Sequence, residues 1–388
     1  MRFSNRYRGD VLKSVKQVVL VVLNNFSHDS RVLKEAKSLQ GDGYMVTVIA
    51  LHEQAMAVSE SIDGIQVSRV RLKSRSWSKN RFVQLLKYLE WLMAAAWRCR
   101  RVDIVHCNDL NTLPLGVLLK VASRGRVKIV YDAHEYETEL NGLAGLEKRL
   151  AALLERRLIK YADKVFTVSD SIASEYRRLY GIPKPELVLN CPPYQEVQSQ
   201  DLFRNELGIR KDQTIFLYQG GLSRGRGIEL LLEAFARLSG DQNVIVFMGY
   251  GPLATEVQRH AMIHESIFFR EAVPPSILLN YTASADYGVL FYENNCLNHD
   301  FCSPNKMFEY LMAGIPVLAA NLFEMKRLIE KYGLGVVATE NTVDGFIEAV
   351  NTSLAFDYPQ IQQNVFAARK IFNWEEQEKV LLRIYNEL

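Results

Sequence analysis

The sequence is poor in cysteine, in long apolar runs and in net charge, and each shortage excludes a class of protein. Its five cysteines are odd in number and scattered, which predicts reduced thiols rather than a disulfide framework. No stretch approaches the roughly 18 consecutive apolar residues of a membrane-spanning helix, and charged residues interrupt the basic N-terminus before any secretory signal could form. The net charge of +3 is too small to indicate a nucleic-acid partner. We therefore expect a cytoplasmic protein.

The remaining composition favours two folded domains. The chain has 388 residues, of which 48% are apolar and 23% charged, as in globular proteins with more than one core. Short β-branched runs alternate with helical periodicity, which is typical of parallel sheets covered by helices on both faces. The predicted fold class is α/β. We predict two similar α/β domains, and if they face each other, a ligand site would lie in the cleft between them, beyond the carboxyl ends of the strands.

The pattern also predicts the domain bounds. A proline-containing polar stretch without periodicity predicts a linker at 191–200, between an N-terminal domain at 1–190 and a C-terminal domain at 201–373. A last helix at about 374–388 is able to pack back on the first domain. The predicted strands are Gln17 to Leu23, Met45 to Leu51, Asp103 to Cys107, Lys128 to Asp132, Lys164 to Val168, Thr214 to Tyr218, Val244 to Met248, Ser266 to Phe269, Tyr287 to Phe291 and Ile315 to Ala319.

A glycine-rich stretch, 219–227, follows a predicted strand and opens a predicted helix from Ile228 to Leu238. Glycines let the backbone approach an anion, a helix N-terminus offers free N–H groups, and Arg224 and Arg226 add positive charge. The spacing fits neither the dinucleotide fingerprint nor the P-loop. The stretch predicts a phosphate-binding loop, and the alternative is a plain glycine-rich turn with solvated arginines.

A second stretch, 302–314, predicts a short helix with a defined start. Ser303 suits its N-cap, Pro304 its first helical position and Gly314 its end. Lys306 and Glu309 then share one face, where an ammonium suits a phosphate and a carboxylate suits ribose hydroxyls. The alternative for this pair is an intrahelical salt bridge.

Together with the segments 28–36, 103–106, 131–135, 162–169 and 314–319, these two stretches resemble the family-4 retaining glycosyltransferases. The resemblance implies the GT-B fold, which has two facing Rossmann-like domains with parallel sheets and a cleft between them. The resemblance runs from about Gln17 to the end of the chain. It implies a nucleoside diphosphate sugar as the donor. The donor-binding residues that it implies are Gly220, Gly221, Arg224, Arg226, Ser303, Asn305, Lys306 and Glu309.

The resemblance also assigns a role to each of the four predicted catalytic residues. Arg226 and Lys306 would face the donor diphosphate, Glu309 would bind the ribose, and His134 would lie near the transferred sugar. The sequence leaves open whether Asp132, Glu135 and Glu137 orient the histidine or bind the acceptor.

This sequence departs from the family at two positions. The family has two glutamates separated by seven residues, and the first would fall at Phe301, so its contact with the donor sugar is either absent or supplied by Asp300. The basic residue often found at the start of the glycine loop is Gly221 here, which leaves Arg224 as a substitute.

We predict neither a metal nor a cofactor. The sequence contains no Asp-x-Asp pair to hold an ion against a diphosphate. Cys296, His299 and Cys302 lie near one another, but they lack a fourth ligand and the paired spacing of a structural zinc site. Positive side chains and helix termini would therefore stabilise the leaving group.

The predicted function is retaining transfer of a hexose-type sugar from a nucleoside diphosphate donor to a glycan or lipid-linked acceptor, in bacterial envelope polysaccharide synthesis such as that of lipopolysaccharide or capsule. Two alternatives remain open. One is a GT-B sugar-nucleotide 2-epimerase, and the other is a catalytically silent member that binds a sugar nucleotide or a partner enzyme.

One further region, 73–101, has a strong local charge. Eight basic residues against the single acid Glu90 give it a charge of +7, and aromatic and aliphatic residues lie between them. This pattern suits a helix at an anionic membrane surface, which would place the protein peripherally on the inner face of the cell membrane. The alternative is a helix that covers the sheet and has basic ends.

Overall fold

The computed structural model describes residues 15–198, 200–238 and 242–388. Their contacts divide them into two compact units. The first unit contains the described residues up to Tyr131, together with Tyr161–Asp163 and Leu388. The second contains Asp132–Lys160 and Lys164–Glu387. The linker at 191–200 and the domain bounds around it stay a prediction.

The first unit is an α/β layer built on β1. Strands β2 and β5 flank β1 in parallel, so that Val19 lies opposite Thr47 and Val105, and a polar strand, β3, pairs antiparallel at the edge. The strand order is β3-β4-β2-β1-β5-β6. The strands are β1 (Gln17–Val21), β2 (Met45–Leu51), β3 (Ser59–Ile62), β4 (Ile65–Val70), β5 (Ile104–Asn108) and β6 (Lys128–Ala133), and the helices are α1 (Ser30–Gly41), α2 (Arg81–Arg98) and α3 (Leu113–Ala122).

The second unit contains a six-stranded parallel sheet in the order β11-β10-β9-β12-β13-β14, and it also contains the strands β7 and β8, which pair in parallel. The strands are β7 (Lys164–Thr167), β8 (Glu186–Leu187), β9 (Thr214–Gly221), β10 (Asn243–Tyr250), β11 (Ile267–Glu271), β12 (Tyr287–Leu290), β13 (Val317–Ala319) and β14 (Gly335–Val337). The helices are α4 (Gly145–Leu158), α5 (Asp170–Tyr180), α6 (Leu202–Leu207), α7 (Ile228–Arg237), α8 (Ala254–Ala261), α9 (Pro275–Thr282), α10 (Leu297–Asp300), α11 (Asn305–Ala313), α12 (Phe323–Tyr332), α13 (Val343–Ala355), α14 (Tyr358–Ala368) and α15 (Trp374–Asn386).

Burial explains why the central strands form where the sequence predicts them. Residues Ile215–Tyr218 of β9 are fully buried, as are the four residues from Val244 to Phe247 of β10, because helices cover both faces of a parallel sheet. The structure has a strand at each predicted position, and the α/β class is confirmed. Among the described residues, no helix is long and apolar enough to cross a bilayer.

Candidate active site

A cavity of about 680 Å³ lies within the second unit. The segment after β6, the loop after β9, the segment after β12 and the start of α11 all contribute to its wall, so strand ends and helix starts surround it. Of the predicted site residues it is lined by His134, Gly220, Arg224, Arg226, Ser303, Asn305, Lys306 and Glu309. Gly221 is exposed and is not part of the lining. Their assigned roles stay predictions.

The loop between β9 and α7 is shaped by three glycines in the left-handed region: Gly220, Gly225 and Gly227 have φ angles of 110°, 80° and 71°. A Cβ atom at Gly227 would lie 1.9 Å from the Phe291 carbonyl oxygen, so no larger residue fits there. A Cβ atom at Gly220 would lie 3.9 Å from the Nζ of Lys306. The loop backbone therefore passes directly beside a buried ammonium group.

Two cationic side chains, Arg226 and Lys306, lie close to the ring of Tyr292. Arg226 donates a hydrogen bond to the Tyr292 hydroxyl at 3.0 Å, and its guanidinium carbon lies 5.1 Å from the centre of that ring. The Nζ of Lys306 lies 5.2 Å from the same centre and 3.9 Å from the centre of the Tyr218 ring. Aromatic faces stabilise a positive charge without neutralising it. The two charges are thus held together and available to an anion.

Lys306 is the more constrained of the two cations. Its side chain is 7% exposed, and within the described ranges its Nζ has no hydrogen-bond partner. Burial, with a further contribution from the charge of Arg226, lowers the pKa of Lys306 to about 7. A buried amine in this state gains hydrogen bonds and a counter-charge when an anion enters the cavity.

The start of α11 differs from the prediction in one respect. Ser303 does not cap the helix: Pro304 occupies the N-cap position, no side chain caps this end, and the Ser303 hydroxyl has no hydrogen-bond partner among the described residues. The sequence rule failed here because Pro304 has an extended backbone, with φ −69° and ψ 141°, and lies just outside the helix. The helix ends at Gly314, as predicted, with φ 82°.

Glu309 is held by a neighbour that the motif did not indicate. The Thr282 hydroxyl donates to Gln219 Oε1 at 2.8 Å, and Gln219 Nε2 donates to Glu309 Oε2 at 2.6 Å. The amide is therefore fixed with its N–H towards the carboxylate. Within the described ranges the Lys306 ammonium makes no hydrogen bond to Glu309, but the negative charge of Glu309 raises the pKa of Lys306. The alternative of an intrahelical salt bridge stays a prediction.

The acidic residues around His134 have separate positions. Asp132, a buried residue, is in contact with the imidazole ring, since its Oδ2 lies 2.6 Å from His134 Nε2. Glu137 is buried. Glu135 is exposed and lines the cavity, where its Oε2 accepts a hydrogen bond from Asn298 Nδ2 at 3.1 Å.

Neither candidate for the missing family glutamate lines the cavity. The Phe301 ring stacks on Tyr136 with centroids 6.1 Å apart and packs edge-on against Phe323. The Oδ1 of Asp300 accepts a hydrogen bond from the backbone N–H of Phe323 at 2.8 Å, at the start of α12. Asp300 therefore stabilises the end of a helix, and it does not replace the absent carboxylate.

Several residues of this site were not predicted: Tyr218, Gln219, Tyr292 and Asn298. Gln219 and Tyr292 each lie at or just after the carboxyl end of a strand, β9 and β12, which is a signal that the general rule for parallel sheets could have used. Asn298 lies on the four-residue helix α10, which has no sequence signature.

The parallel α/β sheets carry a glycine loop and a cationic helix start at the carboxyl ends of strands, where ligands bind in folds of this class, and the fold is that of the GT-B glycosyltransferases. Residues 29–193 match the model of the glycosyl transferase 4-like domain, and residues 213–355 match that of the glycosyl transferases group 1. The chain belongs to the family-4 glycosyltransferases, as the motifs predicted.

The chain is also similar to individual glycosyltransferases and to solved structures of this fold. An uncharacterized glycosyltransferase of Methanocaldococcus jannaschii is 23% identical over 90% of this chain and 91% of its own. The chitobiosyldiphosphodolichol beta-mannosyltransferase of Kluyveromyces lactis is 20% identical over 84% of this chain and 79% of its own. Among solved structures, Anabaena HepE in complex with UDP and glucose superposes with a TM-score of 0.72 at 15% identity, covering 96% of this chain and all of that one.

Proposed function

We propose that this glycosyltransferase transfers a hexose-type sugar, with retention, from a nucleoside diphosphate sugar to a glycan or lipid-linked acceptor in envelope polysaccharide synthesis. The observation that supports the donor class best is the buried Lys306 ammonium, which has no hydrogen-bond partner in the described part of the chain and lies beside Arg226. A diphosphate supplies the two negative charges that this pair lacks. Glu309, one turn along α11, then accepts hydrogen bonds from ribose hydroxyls.

The proposed chemistry is the front-side replacement that the family resemblance implies. The bond between the anomeric carbon and the diphosphate oxygen breaks while the acceptor hydroxyl attacks from the same face, and its proton passes to the departing phosphate. Arg226 and Lys306 stabilise the negative charge that builds up on the leaving group. Because these side chains supply the positive charge, we propose that transfer is metal-independent.

The acceptor is supported by a relative and by the surface of the first unit. The Kluyveromyces lactis enzyme, by its name, mannosylates a dolichol-linked substrate. A polysaccharide enzyme with such an acceptor works where the lipid is, at a membrane surface. This is the setting in which we place the present protein.

A panel of donors tests the proposal. Purified protein is incubated with UDP-glucose, ADP-glucose and GDP-mannose, and products are followed by chromatography. We expect slow release of the nucleoside diphosphate from a donor with one preferred base, unchanged by EDTA, and faster release when a suitable acceptor is added. Formation of an isomeric sugar nucleotide would instead show an epimerase. Binding without any turnover, with every acceptor tried, would show a catalytically silent member.

The helix α2 supports the membrane surface as a partner. Trp91 and Ala95 are the buried residues of this helix, whereas several of its large apolar side chains are exposed. Phe82 is 70% and Trp97 66% exposed. Other exposed apolar residues lie between them at helical spacing, namely Leu85, Leu86, Leu89 and Met93. Such a row beside basic residues suits an anionic bilayer.

Replacing Arg98, Arg100 and Arg101 with Gln should abolish salt-sensitive cosedimentation with phosphatidylglycerol-containing vesicles. Each basic residue near an anionic surface contributes about 1 kcal/mol, so the loss of three should weaken binding by about two orders of magnitude. The matched control replaces Arg210, Arg237 and Arg259 on the second unit, which form ion pairs with nearby acids. If wild-type protein does not cosediment with such vesicles, α2 does not bind an anionic membrane.

A further inference from the structure

Two carboxylates line the cavity within the described ranges, and they have different surroundings. Glu309 is bound by Gln219 at the end of β9. Glu135 comes from the segment after β6 and is bound by Asn298 of α10. No carboxylate reaches the cavity from positions 300 or 301, since Asp300 caps α12 and Phe301 stacks on Tyr136.

Glu135 is held firmly on its side of the cavity. Asn298 bridges the segment, because its Oδ1 accepts a hydrogen bond from the Tyr136 backbone N–H at 2.7 Å while its Nδ2 donates to Glu135 at 3.1 Å. The side chain of Asn298 is buried, which shields its end of this bridge from water. The carboxylate is thus positioned before any ligand binds, and its side chain remains exposed to the cavity.

Electrostatics decide which part of a ligand Glu135 can face. Burial raises the pKa of the Cys302 thiol to about 12. The charge of Arg226 lowers this pKa and the charge of Glu135 raises it, so Arg226 and Glu135 both act on the same sulfur in the cavity wall. A diphosphate bound by Arg226 and Lys306 repels a carboxylate. A sugar is neutral, and its hydroxyls donate to a carboxylate. Positive charge also develops on its ring during transfer, which a carboxylate stabilises.

We propose that Glu135 binds hydroxyl groups of the donor sugar and is a specificity-determining residue of the cavity. This inference rests on the proposed function, because it requires that the diphosphate occupies the Arg226–Lys306 pair. It places the sugar next to His134 and Glu135 and the nucleoside next to Glu309.

The test compares two affinities by calorimetry without any acceptor: that of the sugar nucleotide preferred among UDP-glucose, ADP-glucose and GDP-mannose, and that of its parent nucleoside diphosphate. Glu135→Gln should weaken binding of the sugar nucleotide about tenfold and leave binding of the nucleoside diphosphate unchanged. The amide of Gln still offers an oxygen to Asn298, so the structural contact survives the substitution.

Two variants provide matched controls. Glu139→Gln removes a carboxylate four residues away that pairs with Lys148 at 2.6 Å outside the cavity lining, and it should change neither affinity. Asp300→Asn removes the other carboxylate considered for this role and should change neither affinity, although it should lower the melting temperature. A sugar-specific loss in Asp300→Asn rather than in Glu135→Gln would overturn the proposal.

Sugar nucleotides that lack one hydroxyl of the sugar distinguish direct binding by Glu135 from a purely structural role of this residue. Wild-type protein should bind a sugar nucleotide that lacks the contacted hydroxyl about tenfold more weakly than the parent donor, whereas Glu135→Gln should bind both alike. An unchanged sugar-nucleotide affinity in folded Glu135→Gln, or an equal loss for the nucleoside diphosphate, contradicts the role of Glu135 and leaves the proposed function standing. Failure of the wild-type protein to bind any nucleoside diphosphate contradicts the proposed function itself.

Discussion

Removing either cation of the Arg226–Lys306 pair should weaken binding of the matching nucleoside diphosphate tenfold or more. Each charge-assisted contact is worth about 1.5 to 3 kcal/mol, and both groups meet on the Tyr292 ring, so neither can be replaced by solvent in the same place. Calorimetric titration of Arg226→Ala and Lys306→Ala, compared with wild-type protein, measures the effect.

The control for this experiment is Arg237→Ala. Arg237 is exposed at the far end of α7 and pairs with Glu233, so its loss removes a charge without touching the cavity. Wild-type affinity in both cavity variants would mean that the anion binds elsewhere.

The same pair also predicts a pH signature. Because the pKa of Lys306 in the free protein is about 7, the amine is mostly neutral at pH 8, whereas the terminal phosphate, with a second pKa of about 6, is already ionised. Binding must therefore return a proton to Lys306, and affinity should fall by up to about tenfold per pH unit above pH 7. Titrations at pH 8 in buffers of different ionisation enthalpy should show uptake of about one proton by wild-type protein and none by Lys306→Ala.

Substitutions of Glu309 and His134 should differ in kind. Glu309→Gln keeps the shape but weakens charged acceptor bonds that exist in both the ground and the transition state, so KM and the dissociation constant of the nucleoside diphosphate should each rise about tenfold. His134→Ala should leave nucleotide affinity nearly intact and lower kcat about a hundredfold or more, because a group near the sugar acts chiefly as charge develops.

Turnover and titration of both variants with the same donor decide this assignment. A control is Asp300→Asn, which lies near the site in sequence but caps α12, and its kcat should stay at the wild-type value. If His134→Ala loses nucleotide binding as severely as Glu309→Gln, or if it turns over donor at the wild-type rate, His134 does not serve the transferred sugar.

The sequence predicted the parts of this molecule that repeat simple physical patterns. Buried parallel strands such as β9 and β10 consist of continuous apolar runs, so their positions were predictable. Strand β3 was not predicted, since it is a four-residue edge strand with polar residues and no buried side chain. Strand β14 has three residues and begins with a glycine, which gives no strand signal.

The site shows the same division. Arg226, Lys306 and Glu309 were recognisable because they lie within motifs on helix starts. The contacts of Lys306 with the Tyr218 ring and of Glu309 with the Gln219 amide join residues up to about 90 positions apart in the chain. No local sequence pattern predicts such contacts, and the same holds for the Tyr292 ring. The environment of Glu135 likewise depends on Asn298, which is 163 positions away.

The close approach of Gly227 to the Phe291 backbone makes the glycine loop rigid. One end of the loop abuts the carbonyl of Phe291, and the carbonyl of Gly225 accepts a hydrogen bond from the Glu293 backbone N–H at 3.1 Å. Backbone that is tied to its neighbours in this way has little conformational freedom left to lose. The loop is therefore already ordered before an anion binds, so that binding loses little free energy to ordering of the backbone. The loop works as a rigid template, and the adaptation to different donors must come from side chains around it.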